Sequence, residues 1–173
     1  MTKGEQIAAG FADLVKKYDD KWKWFGTFTF KNDIHPEAAN KIWMKFIHQL
    51  NREIFGCGYW KRKSKGVIWA RGSEYQIRGV LHYHALLGLI PDRVRRMNYV
   101  DYWEELAGFA RIYAYERGKG AEGYISKSAY VFKRGEIDFS DTLVVQPLSN
   151  QVGLLFPAAV SYTHLTLPTK RIV

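Results

Sequence analysis

The segment GVLHYHALLG (79–88) sets His82 and His84 on either side of Tyr83. On a strand, side chains two apart point to the same face, so the two imidazoles stand side by side and Tyr83 turns to the other face. Two nitrogens leave a divalent ion short of ligands. Glu74 lies eight residues before His82, on the preceding strand of a predicted hairpin, and folding about Arg78-Gly79 brings its carboxylate back across from the histidine pair. Two His and one carboxylate leave positions open for water or a substrate oxygen, as a catalytic ion requires. Composition alone produces an H-x-H roughly once in seven such chains. The competing reading is a pair of hydrogen-bonded core imidazoles with Glu74 as a cross-strand partner. Other zinc-hydrolase patterns do not fit, since the chain has no H-E-x-x-H.

A second group with chemical potential is Tyr124-Ile125-Ser126-Lys127. Residues three apart share a helix face, so Lys127 can stand beside the Tyr124 hydroxyl. A phenol is a weak nucleophile at neutral pH, and an adjacent cation favours phenolate and offsets charge on a phosphate under attack. Tyr130-Val131-Phe132-Lys133 repeats the spacing. In a chain with 11 Tyr, the bland alternative for both is aromatic packing.

The elements that must position these groups follow from periodicity. Ile7, Phe11, Leu14, Val15 and Tyr18 predict an amphipathic helix over 3–18, and WFGTFTF (24–30) predicts a strand. Asn32-Asp33 and Pro36 open a helix whose stripe is Ala39, Ile42, Trp43, Phe46, Ile47, Leu50 and Ile54. Strands are expected over 67–76 and 80–89, a short helix over 99–106, and a strand over 109–115 (FARIYAY). A helix over 124–133 and a strand over 137–139 complete the order. Long helices join some strands and a tight turn joins others. That points to an α+β, ferredoxin-like sandwich: one central, mainly antiparallel sheet with helices packed on it.

Charge narrows the partners. Against 17 acidic residues stand 26 Lys+Arg, a formal net charge of +9, and 16% of the chain is aromatic. Cations meet phosphates and rings stack on bases, so the balance suits a nucleic-acid binder. Trp60 to Lys65 (WKRKSK) reads as an exposed basic loop, and two further groups lie at 93–96 and 119–134. A charge run is most often a solvated face. The single Cys57 excludes an internal disulfide and a Cys-rich zinc site. No apolar run approaches a membrane span and the N-terminus lacks a secretory signal, so a reducing, cytoplasmic setting without membrane is expected.

In this order and at these intervals, the pieces resemble the HUH endonuclease domain of rolling-circle replication initiators, the Rep proteins of plasmids and small single-stranded DNA phages. WFGTFTF (24–30) is similar to the family's first motif, His82-Tyr83-His84 with Glu74 to its second, and Tyr124 to Lys127 to its third; the likeness spans about 22–140. The resemblance implies Mg²⁺ or Mn²⁺ held by Glu74, His82 and His84, and Tyr124 as nucleophile. It also implies a 5′-phosphotyrosine intermediate, and Lys127 orienting the phosphate or the ion. Expected single-strand contacts are Lys61, Arg62, Lys63 and Lys65 of the basic loop, Thr27 and Thr29 of the first motif, and Arg78 of the turn. Implied partners are a hairpin-associated single-stranded origin, a host polymerase and a helicase in a bacterial cytoplasm; no Walker A loop is present for unwinding. Initiators with two tyrosines commonly hold them four apart. Tyr124 and Tyr130 are six apart, about 240° around a regular helix, so Tyr130 serves as a second nucleophile only on a distorted helix. A single-tyrosine HUH transposase shares the motif order. A non-catalytic single-strand binder would explain the charge and the rings but not the motifs in register.

The expected division of the chain is an N-terminal helical segment (1–21), the endonuclease domain (22–145), a truncated extension (146–159) and a tail (160–173). The tail begins VSYTHLTLPT, which resembles a translated sequencing adapter and is set apart from functional reasoning.

Overall fold

A computed structural model describes residues 3–61, 66–77, 79–121 and 137–144. Helix α1 (Lys3–Lys17) leads into β1 (Trp22–Phe30), followed by α2 (Pro36–Phe55). A 3₁₀ turn (Tyr59–Lys61) precedes the hairpin of β2 (Ile68–Tyr75) and β3 (Leu81–Gly88). Then come α3 (Arg96–Leu106), β4 (Gly108–Ala114), β5 (Ile137–Phe139) and a short α4 (Asp141–Val144). The described strands form one sheet in the order β4-β1-β3-β2-β5, every pairing antiparallel. The path β1-α2-β2-β3-α3-β4 with the order β4-β1-β3-β2 is the ferredoxin-like arrangement, widened by β5.

Local chemistry sets the element ends. Pro36 occupies the first turn of α2, where its missing N–H is no loss, and Gly56 (φ 81°) closes that helix by donating its N–H to the Arg52 carbonyl. The α3 helix begins three residues earlier than periodicity suggests, because its first turn, Arg96-Met97-Asn98, is exposed and its one apolar residue, Met97, adds nothing to the buried side. Neither α4 nor the 3₁₀ turn is foreseen from the sequence, both being too short for a period. The expected helix over 124–133 and everything past 144 lie outside the described residues.

One face of the sheet carries α2 and α3. Phe28 of β1 is fully buried at its centre and meets Trp43, Phe46 and Trp103 edge-on, with ring centroids 5.3, 5.2 and 5.1 Å away. Each such pair adds about 0.5–1.5 kcal/mol to area burial. Gly26 is required beside it, since a Cβ there would lie 2.7 Å from the Phe28 ring. Arg71 is the buried cation of this layer. Its guanidinium lies over Tyr83 (4.3 Å), Trp43 and Trp69 and donates to Asn40 and Asp138, which ties β5 to the sheet.

The other face holds a smaller cluster in which Val15 of α1 packs with Trp22, Ile68, Ala70, Leu86, Ala121 and Leu143. A register shift between Trp22 and Trp24 lets these two residues serve opposite faces, Trp22 under α1 and Trp24 in the main core. The Trp22 indole N–H donates to the Val15 carbonyl (2.9 Å), which seats α1 on that face.

Candidate metal centre

The β2–β3 hairpin builds the site. Gly79 takes a left-handed conformation (φ 79°) and donates to the Gln76 carbonyl, turning the chain so that Glu74 pairs directly with His82. Two positions along β3, His84 pairs with Gly72 of β2, and the absent side chain there leaves room beside the imidazole. Tyr83 points the other way. It is 3% exposed in the helix-side core, edge-on to Phe30 and Trp43.

Three donor atoms converge. Glu74 Oε2 lies 3.1 Å from His82 Nε2 and 3.2 Å from His84 Nε2, and the two Nε2 atoms are 2.9 Å apart. His82 and His84 are buried (8% and 4% exposed), while Glu74 is half-buried. Two imidazole nitrogens at 2.9 Å attract each other only if one carries a proton or both share a cation. His84 Nδ1 lies 3.1 Å from Thr27 Oγ1, so its ring N–H can donate there and turn a lone pair at Nε2 towards the triad. Burial, reinforced by His82 and opposed by Glu74, pulls the His84 pKa down to about 4, so this imidazole is neutral at pH 7. A neutral ring is what metal coordination needs. His82 Nδ1 is buried and has no partner among the described residues. One half-buried carboxylate and two buried imidazoles can therefore hold a metal ion.

The other expected site residues are placed unevenly. Thr27 and Thr29 lie on the triad's face of β1, half-buried, paired with His84 and His82 respectively. The Thr27 hydroxyl is engaged by His84, a role that its position two residues from Thr29 did not suggest. Lys61 is exposed in the 3₁₀ turn, which is anchored on α2 by the Tyr59–His48 hydrogen bond (3.1 Å), and it precedes the Ile68 end of β2 while Glu74 sits at the other end. Arg62, Lys63, Lys65, Arg78, Tyr124, Lys127 and Tyr130 lie outside the described residues.

Cross-strand rows extend the triad's face. Glu74, His82, Thr29 and Phe109 form one row; Gly72, His84, Thr27 and Arg111 the next; Ala70, Leu86, Phe25 and Tyr113 a third. The β4 members were not singled out in the sequence. Their signal was present in the alternation of FARIYAY, where Phe, Arg and Tyr share one face and Ala, Ile and Ala the other. With both faces apolar by residue type, alternation does not say which one is exposed.

No family model, no curated protein and no solved structure matches this chain.

Proposed function

We propose that this chain is a metal-dependent HUH-type endonuclease that nicks and rejoins single-stranded DNA as a rolling-circle replication initiator. The observation that carries this reading is the convergence of Glu74, His82 and His84 on one face of a ferredoxin-like sheet. The donor set, one carboxylate oxygen and two imidazole nitrogens with positions left open for water or a phosphate oxygen, would suit Mg²⁺ or Mn²⁺.

What the ion supplies when bound is Lewis acidity towards the scissile phosphate. Glu74, His82 and His84 hold it, and Thr27 fixes the ring orientation of His84. The Tyr124 oxygen attacks phosphorus, the bond to the 3′ oxygen breaks, and that oxygen leaves as a 3′-hydroxyl once protonated. The 5′ end stays on the tyrosine as a phosphodiester, so a later hydroxyl can reseal the strand without an external energy source. Lys127 offsets charge on the phosphate, and Tyr130 is the reserve nucleophile.

The substrate is a hairpin-associated single-stranded origin, contacted by Thr29, Arg78 and the basic residues Lys61, Arg62, Lys63 and Lys65. The freed 3′-hydroxyl is extended by a host polymerase, with unwinding by a helicase partner in a bacterial cytoplasm. Among the described residues no helix is long and apolar enough to cross a membrane.

The test is incubation with a hairpin-flanked single-stranded oligonucleotide and Mn²⁺. The expected result is a nick and a protein–DNA band that survives denaturation, both lost in Tyr124→Phe and His82→Ala. A covalent band formed at full rate by His82→Ala would sink the metal assignment. A salt-sensitive shift with no cut would favour a non-catalytic binder.

A further inference from the structure

We infer that the outward face of β4 (Phe109, Arg111 and Tyr113) is a binding strip for single-stranded DNA that works without metal. The inference rests on the proposed function in one respect: the strand bound here is the one delivered to the triad.

Among the described residues β4 is an edge strand of the sheet, paired on one side only, with β1. Its alternate residues Ala110 and Ile112 are buried against the helix layer, which leaves Phe109 and Tyr113 51% and 56% exposed with Arg111 between them. Single exposed apolar residues are ordinary, and Met44, Trp60, Ile77, Leu89 and Met97 are scattered in that way. Phe109 and Tyr113 differ from these in lying four positions apart on one strand face, about 13 Å, with Arg111 midway between them along the strand. The Arg111 guanidinium lies over the Phe109 ring, 5.3 Å from its centroid, and forms no ion pair among the described residues. None of these three side chains belongs to either buried core cluster.

Their chemistry matches one partner. Aromatic faces stack on any base, and a guanidinium meets the phosphate between stacked bases. Phe25, Thr27 and Thr29, the β1 residues paired with the strip, bring no carboxylate to repel a phosphate. The chain's net charge of +9 favours a polyanion over an acceptor of the opposite sign. The row Glu74-His82-Thr29-Phe109 runs unbroken from triad to strip. Neighbouring strands lie about 4.8 Å apart, so the strip stands two strands, or about 10 Å, from the histidines. A second copy of the chain is the weaker candidate, because a two-fold pairing of β4 edges centred on the strip sets Arg111 against its own copy.

The test uses the full chain and a fluorescein-labelled, mixed-sequence single-stranded oligonucleotide, with EDTA to exclude metal, read by anisotropy across a salt series. Phe109→Ala and Tyr113→Ala should each weaken binding about five- to hundredfold with unchanged melting temperature. Arg111→Gln should lower the slope of log affinity against log salt by about 0.7, the share of one phosphate. Met44→Ala, at an exposed apolar residue of α2 away from the strip, should bind as wild type. Wild-type affinity in both ring variants overturns the strip, and so does self-association of the wild type that the ring variants abolish without loss of DNA binding. If DNA binding depends on the strip but no nick ever forms, the endonuclease reading fails and the strip stands. If nicking occurs and the ring variants bind and cut normally, the strip alone fails.

Discussion

The two faces of the sheet are built from alternate residues of the same strands, and they have been put to opposite uses. On the helix side, Phe28, Trp43, Phe46, Tyr83 and Trp103 interlock edge-on, and the buried cation Arg71 is stacked and hydrogen-bonded. On the other side, the same strands carry a carboxylate and two imidazoles at contact distance, a threonine bonded to one of them, and two rings left in solvent. Close-packed aromatic layers resist displacement, so they hold the strand register that the polar face depends on. Tyr83 and its two neighbours show the division at the scale of three residues. The tyrosine is packing, and the histidines on the opposite face are donors that could hold a metal ion.

If that division is real, damage to the packed face should remove both functions, while damage to the polar face should remove one. The largest effect is expected from Phe28→Ala or Trp43→Ala, which should cost about 3–5 kcal/mol in denaturant melts and take metal binding with it. A loss below about 1 kcal/mol would mean that the aromatic layer does not carry the register. Next, His82→Ala should abolish the heat of Mn²⁺ binding and the metal-induced rise in melting temperature. The metal-free melting temperature should stay close to wild type, since His82 Nδ1 has no partner among the described residues and the half-buried Glu74 left behind can reach water. A collapse of the metal-free fold would make the triad a structural element instead.

Thr27→Val is a smaller and sharper probe. Loss of the hydroxyl that orients His84 should reduce metal affinity about 10- to 100-fold, with rescue by Thr27→Ser. Equal affinity in Thr27→Val would return Thr27 to a substrate-contacting role. The smallest effect is expected from pH. With its folded pKa held near 4, below the ordinary value of 6.5, His84 takes up its proton more readily in the unfolded chain. Metal-free stability should therefore fall as pH drops from about 6.5 to about 4 and stay level above that window. Across this range the wild type should lose stability relative to His84→Gln towards the acid end, where only the wild type must bury a charge; parallel curves would show that His84 is not the group responsible.

Much of the fold was legible because its signals are local. The apolar stripe of α2, the alternation in β1 and β3, and the turn at Gly79 depend on neighbours within one element or one hairpin. Glu74, His82 and His84 could be read as a set for the same reason: a single tight turn joins them, and strand parity then dictates which side each faces. Trp22 shows the limit of parity, since a one-residue irregularity sends it to the opposite face from Trp24. The choice of Tyr124 over Tyr130 gains nothing direct, both lying outside the described residues.

By itself, then, the sequence determined which residues share a face and which hairpin makes the triad, because period and turn chemistry are properties of short stretches of chain. Tertiary structure alone decided which strands became neighbours. Thr27 meets His84 across 57 residues of chain, and Phe109 and Arg111 come into line with the histidines only because β4 closes against β1. No periodicity encodes such a pairing. It follows from how the rings on the far side of the sheet fit together, and that fit exists only once the whole layer has assembled.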